Sequence, residues 1–265
     1  MSVKPTNPVI NRSHPLARGL VGAWTFQDGG GSVLRDVSGH GHDGTLTNMD
    51  PATDWVTSRY GGALDFDGVN DYVDCGAGDH LNRVSVAVWC TPASGSRGDI
   101  AGVWGSGNSI REFILLKGTV ADRFALYVTD GSSFPNAVSS TAIVAGREYF
   151  VVGTYDGSNV SIFVDGSLEA STSSSLSVQN TSEPMKIGAS ADANFDGGLS
   201  AVFMWNRAIS ANEVADLYTR PFELYEPAIG TQERYYERVA LGAAGQPAFK
   251  RWSQRSNQPV FGRGF

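Results

Sequence analysis

Few side chains in this sequence stand at spacings that do chemistry. Glycoside hydrolysis needs two carboxylates held a fixed distance apart, and Glu112, Glu148, Glu169 and Glu183 each lack a partner at such a spacing. No Gly-x-Ser-x-Gly nucleophile elbow occurs. Gly39-His40-Gly41-His42-Asp43-Gly44 satisfies the Gly-x-Gly-x-x-Gly pattern of dinucleotide loops. No strand feeds it, however, and no helix follows to offer its N-terminus to a phosphate, so it reads as a turn-rich loop. His40 and His42 read as solvent-facing, and His14 and His80 have no partner pattern. The chain is therefore expected not to be an enzyme.

Charge is the second source of chemistry. The net charge of −7 is unevenly placed: residues 1–18 carry Lys4, Arg12 and Arg18 without an acid, and residues 246–265 carry Lys250, Arg251, Arg255 and Arg263 without one. Residues 19–245 therefore hold −14. An acidic body with cationic ends is expected to attract its own copies or an acidic neighbour. The final stretch interleaves those cations with aromatics, and Phe249, Arg251, Trp252, Arg255, Phe261 and Phe265 are the candidate assembly residues. Arg–aromatic interleaving also suits stacking on nucleic acid, but an acidic body repels phosphate, so docking on protein is the reading.

The elements that must position these groups are short and extended. GLVGAWTF, GGALDF, DYVDC, VSVAVWC, DIAGVWG, FILLKG, RFALYV, EYFVVGTY, VSIFVDG, MKIGA and LSAVFMW all read as strands, and 32 Gly mark frequent turns. Asp156-Gly157 is expected to turn a hairpin. One helix is expected, opened by a Ser210…Glu213 capping box, with Val214, Leu217 and Tyr218 on one face and Pro221 closing it. Trp24, Phe26, Leu64, Phe66 and Trp89 are expected to fill the layer between two sheets, while Gly68, Gly157 and Gly166 supply positive φ. Cys75 and Cys90 read as free, buried thiols. No apolar run reaches the ~18 residues of a membrane span, and the first residues lack a signal-peptide core, so the protein is expected to stay in the cytosol where it is made.

In order along the chain, GLVGAWTFQDGGG (19–31), RDVSGHGHDGTL (35–46), YGGALDFDGVNDYVDCG (60–76), VSVAVW (84–89), GTYDGSNVSIFVDG (153–166), MKIGAS (185–190) and FDGGLSAVFMWNRAISANEVADLY (195–218) resemble the LamG-like, or concanavalin A-like lectin–glucanase, jelly-roll family. The resemblance implies an all-β fold, an antiparallel two-sheet sandwich with one short C-terminal helix and extended terminal arms. Beyond Pro221 neither period 2 nor period 3.6 holds and the first residues are rich in proline, so the chain is expected to divide into an N-terminal arm (1–18), the sandwich domain (19–221) and a C-terminal extension for assembly (222–265).

The resemblance also implies functions. Glucanases of this fold use a Glu-x-Asp-x-x-Glu strand, which this sequence lacks. Related sandwiches hold Ca²⁺ near their loops, and the family pattern places Asp28, Asp36, Asp43, Asp67 and Asp71 near one end. Asp36 and Asp43 are the candidate Ca²⁺ ligands, with Asx-turn hydrogen bonding as the alternative. Many relatives have an Asp-Glu pair where Ser200-Ala201 stands here, a departure that weighs against a transferred site. Lectin-like sandwiches bind sugars through loop aromatics, so Trp55, Tyr60 and Trp104, with Phe134 and Asn136, are candidate glycan contacts that serve equally well as core or interface. The opening HPLARGLVGAW is similar to proteins of tailed bacteriophages. That similarity implies a virion protein, a capsid decoration or tail subunit, located on the particle. Its expected partners are its own copies, with a trimer as one form, and shell or tail proteins, with glycans as the alternative; neither nucleic acid nor membrane is expected.

Overall fold

The computed structural model describes residues 4–79, 81–118 and 122–225. In chain order its strands are β1 (Leu20–Trp24), β2 (Val33–Leu34), β3 (Gly44–Thr47), β4 (Trp55–Ser58), β5 (Gly61–Asp67), β6 (Tyr72–Ala77), β7 (Val84–Pro92), β8 (Gly98–Trp104), β9 (Arg111–Lys117), β10 (Phe124–Val128), β11 (Asn136–Val138), β12 (Tyr149–Tyr155), β13 (Asn159–Val164), β14 (Ser167–Ser173), β15 (Pro184–Ile187) and β16 (Asp196–Trp205), followed by α1 (Ala211–Thr219). They form two antiparallel sheets. The first runs β14-β13-β12-β7-β16-β5-β4 with β1 on β16, and the second runs β11-β10-β9-β8-β15-β6-β3-β2. The expected two-sheet sandwich with a single short helix is what the described residues form.

Period-two alternation sorts the side chains into layers. Val86, Val88 and Cys90 of the first sheet meet Val73, Ile100, Val103, Phe113 and Leu115 of the second in one interlayer core that also holds Trp24, Phe26, Leu64 and Phe66. Trp89 does not join them. It points to the outer side of the first sheet, among Ala87, Phe150, Phe203 and Trp205. The reason lies in β7 itself: the strand is buried on both faces, so VSVAVWC carries one apolar set at Val84, Val86, Val88 and Cys90 and a second at Ala87 and Trp89. Cys75 and Cys90 are free and buried in the interlayer core.

Turn chemistry follows residue type. Asp156 Oδ1 accepts from the backbone N–H groups of Ser158 and Asn159, both at 2.7 Å, and Gly157 takes φ 89° to close the β12–β13 hairpin. Gly68 and Gly166 also have positive φ. The capping box on α1 is complete: Ser210 Oγ accepts from the Glu213 N–H, and Glu213 Oε2 accepts from the Ser210 N–H. Burial pushes the Glu213 carboxyl up, but Arg207 and the Ser210 N–H outweigh it and hold it below its ordinary value. Val214 and Leu217 are buried, whereas Tyr218 is exposed and stacks on Phe150.

The outer face of the first sheet is covered. From Lys4 onward the expected N-terminal arm belongs to the body: Ile10 and Leu16 are buried against Phe203 and Trp205, and the Trp205 indole N–H donates to Leu16 O at 2.7 Å. Ile10 pairs with Tyr225, and Asn11 N donates to Leu224 O. Two of the cations in this stretch bond backbone carbonyls of the body, Arg12 from the surface and Lys4 from within. Arg12 donates to Ser38 O, and the buried Lys4 ammonium donates to Gly62 O and Ser200 O. Ser200 sits where the β16–β7 register shifts between Leu199 and Ala201. Such a bulge takes a residue out of the regular ladder, and the Ser200 carbonyl is bonded by Lys4 instead. Burial pulls the Lys4 pKa down to about 7 against the opposing pull of Glu148. Among the described residues no helix is long and apolar enough to cross a membrane.

Candidate functional site

The outer face of the second sheet carries a small apolar cluster of its own. Trp104, Ile114, Leu116 and Ala125 pack there with the half-buried Tyr127, Phe134 and Val138. Above them is an open depression of about 310 Å³, lined by Trp104, Leu116, Tyr127 and Phe134 and by Arg97, Asn108, Arg111 and Asp192. Tyr127 and Phe134 each meet Trp104 edge-on, at centroid separations of 6.4 and 6.0 Å. The Arg111 guanidinium lies 4.8 Å over the Trp104 ring. Trp104 is only 7% exposed, so it serves as floor, and the accessible aromatic surface belongs to Tyr127 and Phe134.

Each wall has a local cause. Outward residues of β9 and β10 supply Leu116 and Tyr127, because Phe124 and Leu126 take the inward positions. Phe134 is set by a tight turn in which Asp130 Oδ1 accepts from Ser132 N and Ser133 N. Those bonds, Ser133 foremost, hold the Asp130 carboxyl below its ordinary value. Asp192 stands on the β15–β16 loop, which Ala191 N pins to Trp104 O and Ser190 Oγ braces by accepting from Asp192 N. Its carboxylate receives Arg111 Nη2 at 2.7 Å, Trp104 Nε1 at 2.9 Å and Arg97 Nη2 at 3.3 Å. Behind it Asp99 is fully buried and takes Arg97 and Ser190; burial pushes its carboxyl up although both partners pull it back.

The other sequence candidates are scattered. Trp55 lies on edge strand β4, partly buried against the interlayer core, with its indole N–H on Gly31 O at 2.9 Å. Tyr60 is 8% exposed under the first sheet's cover, edge-on to Trp89 and Phe222, with Arg59 over its ring. Asn136 pairs with Tyr127 across β10–β11, one strand from the depression. Asp36 Oδ1 accepts from Ala23 N and Ser38 N, and its Oδ2 from Ser38 Oγ and His42 N; Asp43 Oδ1 accepts from Asp36 N. These two carboxylates are thus engaged by the chain's own donors. Among the described residues no three His, Cys, Asp or Glu side chains gather to hold a metal ion. Gly39–Asp43 is a loop and Gly44 opens β3, so no helix N-terminus follows the glycines. Phe249, Arg251, Trp252, Arg255, Phe261 and Phe265 lie outside the described residues.

Of the named candidates only Trp104 and Phe134 line the aromatic depression. Tyr127, Arg97, Arg111 and Asp192 were not anticipated. Outward parity along RFALYV could have marked Tyr127. Arg97 and Asp192 are 95 residues apart, and no local signal joins them.

The profile of the Concanavalin A-like lectin/glucanases superfamily matches residues 67–215. No curated protein sequence matches the chain. Among solved structures, the fold resembles domain 4 of an extracellular arabinanase from Geobacillus stearothermophilus, solved in complex with arabinotriose. The TM-score is 0.61 at 17% identity, over 75% of this chain and 98% of that one. It also resembles the binding domain of Paraclostridial Mosquitocidal Protein 1 (TM-score 0.62, 12% identity, 78% of this chain) and the receptor binding domain of botulinum neurotoxin D (0.58, 12%, 77%). Of those two the matched region spans about half, 53% in each case.

Proposed function

We propose, for a chain that belongs to the concanavalin A-like lectin/glucanases superfamily, that it is a non-catalytic glycan-binding sandwich whose ligand rests on the outer face of its second sheet. The observation that carries this reading is the aromatic depression: half-exposed Tyr127 and Phe134 beside a fixed row of polar groups, the pairing of apolar ring face and directed hydrogen bonds that a pyranose or furanose requires. The arabinanase domain of like fold, solved with an oligosaccharide, supports the ligand class. The state of the nearby carboxylates favours binding over hydrolysis, since Asp192, which lines the depression, receives three donors and Asp99 behind it is buried. A glycan array probed with the purified chain tests it. Saturable binding that Phe134→Ala and Tyr127→Ala weaken by about tenfold or more is the expected result, and silence across the array would remove the reading.

A second reading places the same sandwich on a virion, as a capsid decoration or tail subunit assembled with its own copies. The cationic, aromatic stretch 246–265 and the phage-like opening HPLARGLVGAW support it. Co-purification with particles at fixed stoichiometry, lost on deleting residues 246–265, is its test. Particles that retain the truncated protein would count against that stretch as the anchor.

A further inference from the structure

Which sugar the depression takes is legible from the hydrogen-bonding capacity left after the protein has satisfied itself, an argument that rests on the glycan-binding reading. Asp192 already receives Arg111, Trp104 and Arg97, and Asp99 is buried behind Arg97 and Ser190. The carboxylates at this site are therefore largely spent as acceptors. The guanidinium groups are not spent as donors. Arg111 uses Nε on Gly105 O and Nη2 on Asp192, and Arg97 uses Nε on Asp99 and Nη2 on Asp99 and Asp192. Among the described residues neither Nη1 group has a partner, and both arginines line the depression.

Asp192 lies between the two guanidiniums and bonds both, which draws them to the same rim of the aromatic patch. A neutral sugar brings hydroxyls that both give and accept, and its donated protons would find few acceptors here beyond the exposed Asn108 amide and the Tyr127 hydroxyl. A carboxylate brings only acceptors, in the planar geometry that a guanidinium matches.

We infer that the depression selects a carboxylated sugar, a uronate or another sugar acid, whose carboxylate bridges Arg97 and Arg111 while its ring lies against Tyr127 and Phe134. Arg97 and Arg111 are specificity residues, and Asp192 is a positioning residue that holds them together.

The test begins with an array carrying neutral oligosaccharides beside galacturonate, glucuronate and sialylated ones. The best carboxylated binder is then compared, by titration calorimetry on the full chain, with the same oligosaccharide after chemical reduction of its carboxylates to alcohols. This changes the ligand and leaves the protein intact, so folding of a variant is not at issue. The acid should bind about tenfold or more tightly than its reduced form, weaken as salt rises from about 20 to 500 mM, and lose that advantage in Arg97→Gln. Equal binding of acid and reduced form, or tightest binding to neutral members, overturns the acidic selectivity and leaves glycan binding standing. Absence of binding to every glycan overturns both.

Discussion

The two outer faces of the sandwich differ in what lies over them. Leu16, Ile10, α1 and Tyr225 lie over the first sheet, so Trp89, Phe150, Phe203 and Trp205 behave as a second core. Among the described residues no such cover lies over Trp104, Leu116, Tyr127 and Phe134 on the second sheet, where Arg97, Arg111 and Asp192 rim an open depression. Aromatic side chains stand on both sides, and more of them on the covered one, so aromatic side chains alone do not make a ligand surface. A cover turns them into stability, and its absence leaves them available for recognition.

Trp205→Ala should break the covered face most severely. The side chain is fully buried and tied to Leu16 O, and its loss is expected to cost about 3–5 kcal/mol, read from denaturant unfolding. The next effect depends on pH. The Lys4 pKa is about 7 in the fold and near 10.5 when unfolded, so the unfolded chain holds more protons between those values, and docking of the N-terminal stretch strengthens as pH rises through that window. Stability of the wild type relative to Lys4→Met should therefore climb from pH 7 to 10 by up to about 1.4 kcal/mol per pH unit. A flat difference would refute the buried ammonium. Ser210→Ala, which removes half of the capping box, should cost about 1 kcal/mol without exposing the aromatics below α1, as dye binding would report. On the open face, Phe134→Ala should cost about 1 kcal/mol or less in unfolding experiments yet weaken the glycan about tenfold, a reversal of the covered-face pattern. Equal stability losses at Phe134 and Trp205 would erase the contrast between the faces.

The sandwich was legible because its signals are local. Alternation marks a strand within five residues, Asp156-Gly157 marks a turn within two, and Ser210…Glu213 marks a helix start within four. Which face of a strand looks inward is not local. VSVAVWC is apolar on both parities, and only the arrival of α1 and residues 4–17 over the first sheet makes Trp89's side a second core. The candidate site was legible to the same degree. Trp104 and Phe134 announce themselves by type, whereas the rim joins residues 97, 111 and 192 through a loop pinned by one backbone bond between Ala191 and Trp104. Asp36 and Asp43 show the converse: aspartates in glycine-rich loops suggest a cation, and the fold turns three of their four oxygens onto backbone N–H groups that no spacing announces.

The pairing of Ile10 with Tyr225 has a practical corollary. Ile10 and Tyr225 pack with Phe203 and Trp205, so their bridge lies on the side opposite the aromatic depression. Immobilising the protein through that face, for instance at the exposed Val9 beside Ile10, would turn the aromatic depression outward, towards whatever is offered in solution.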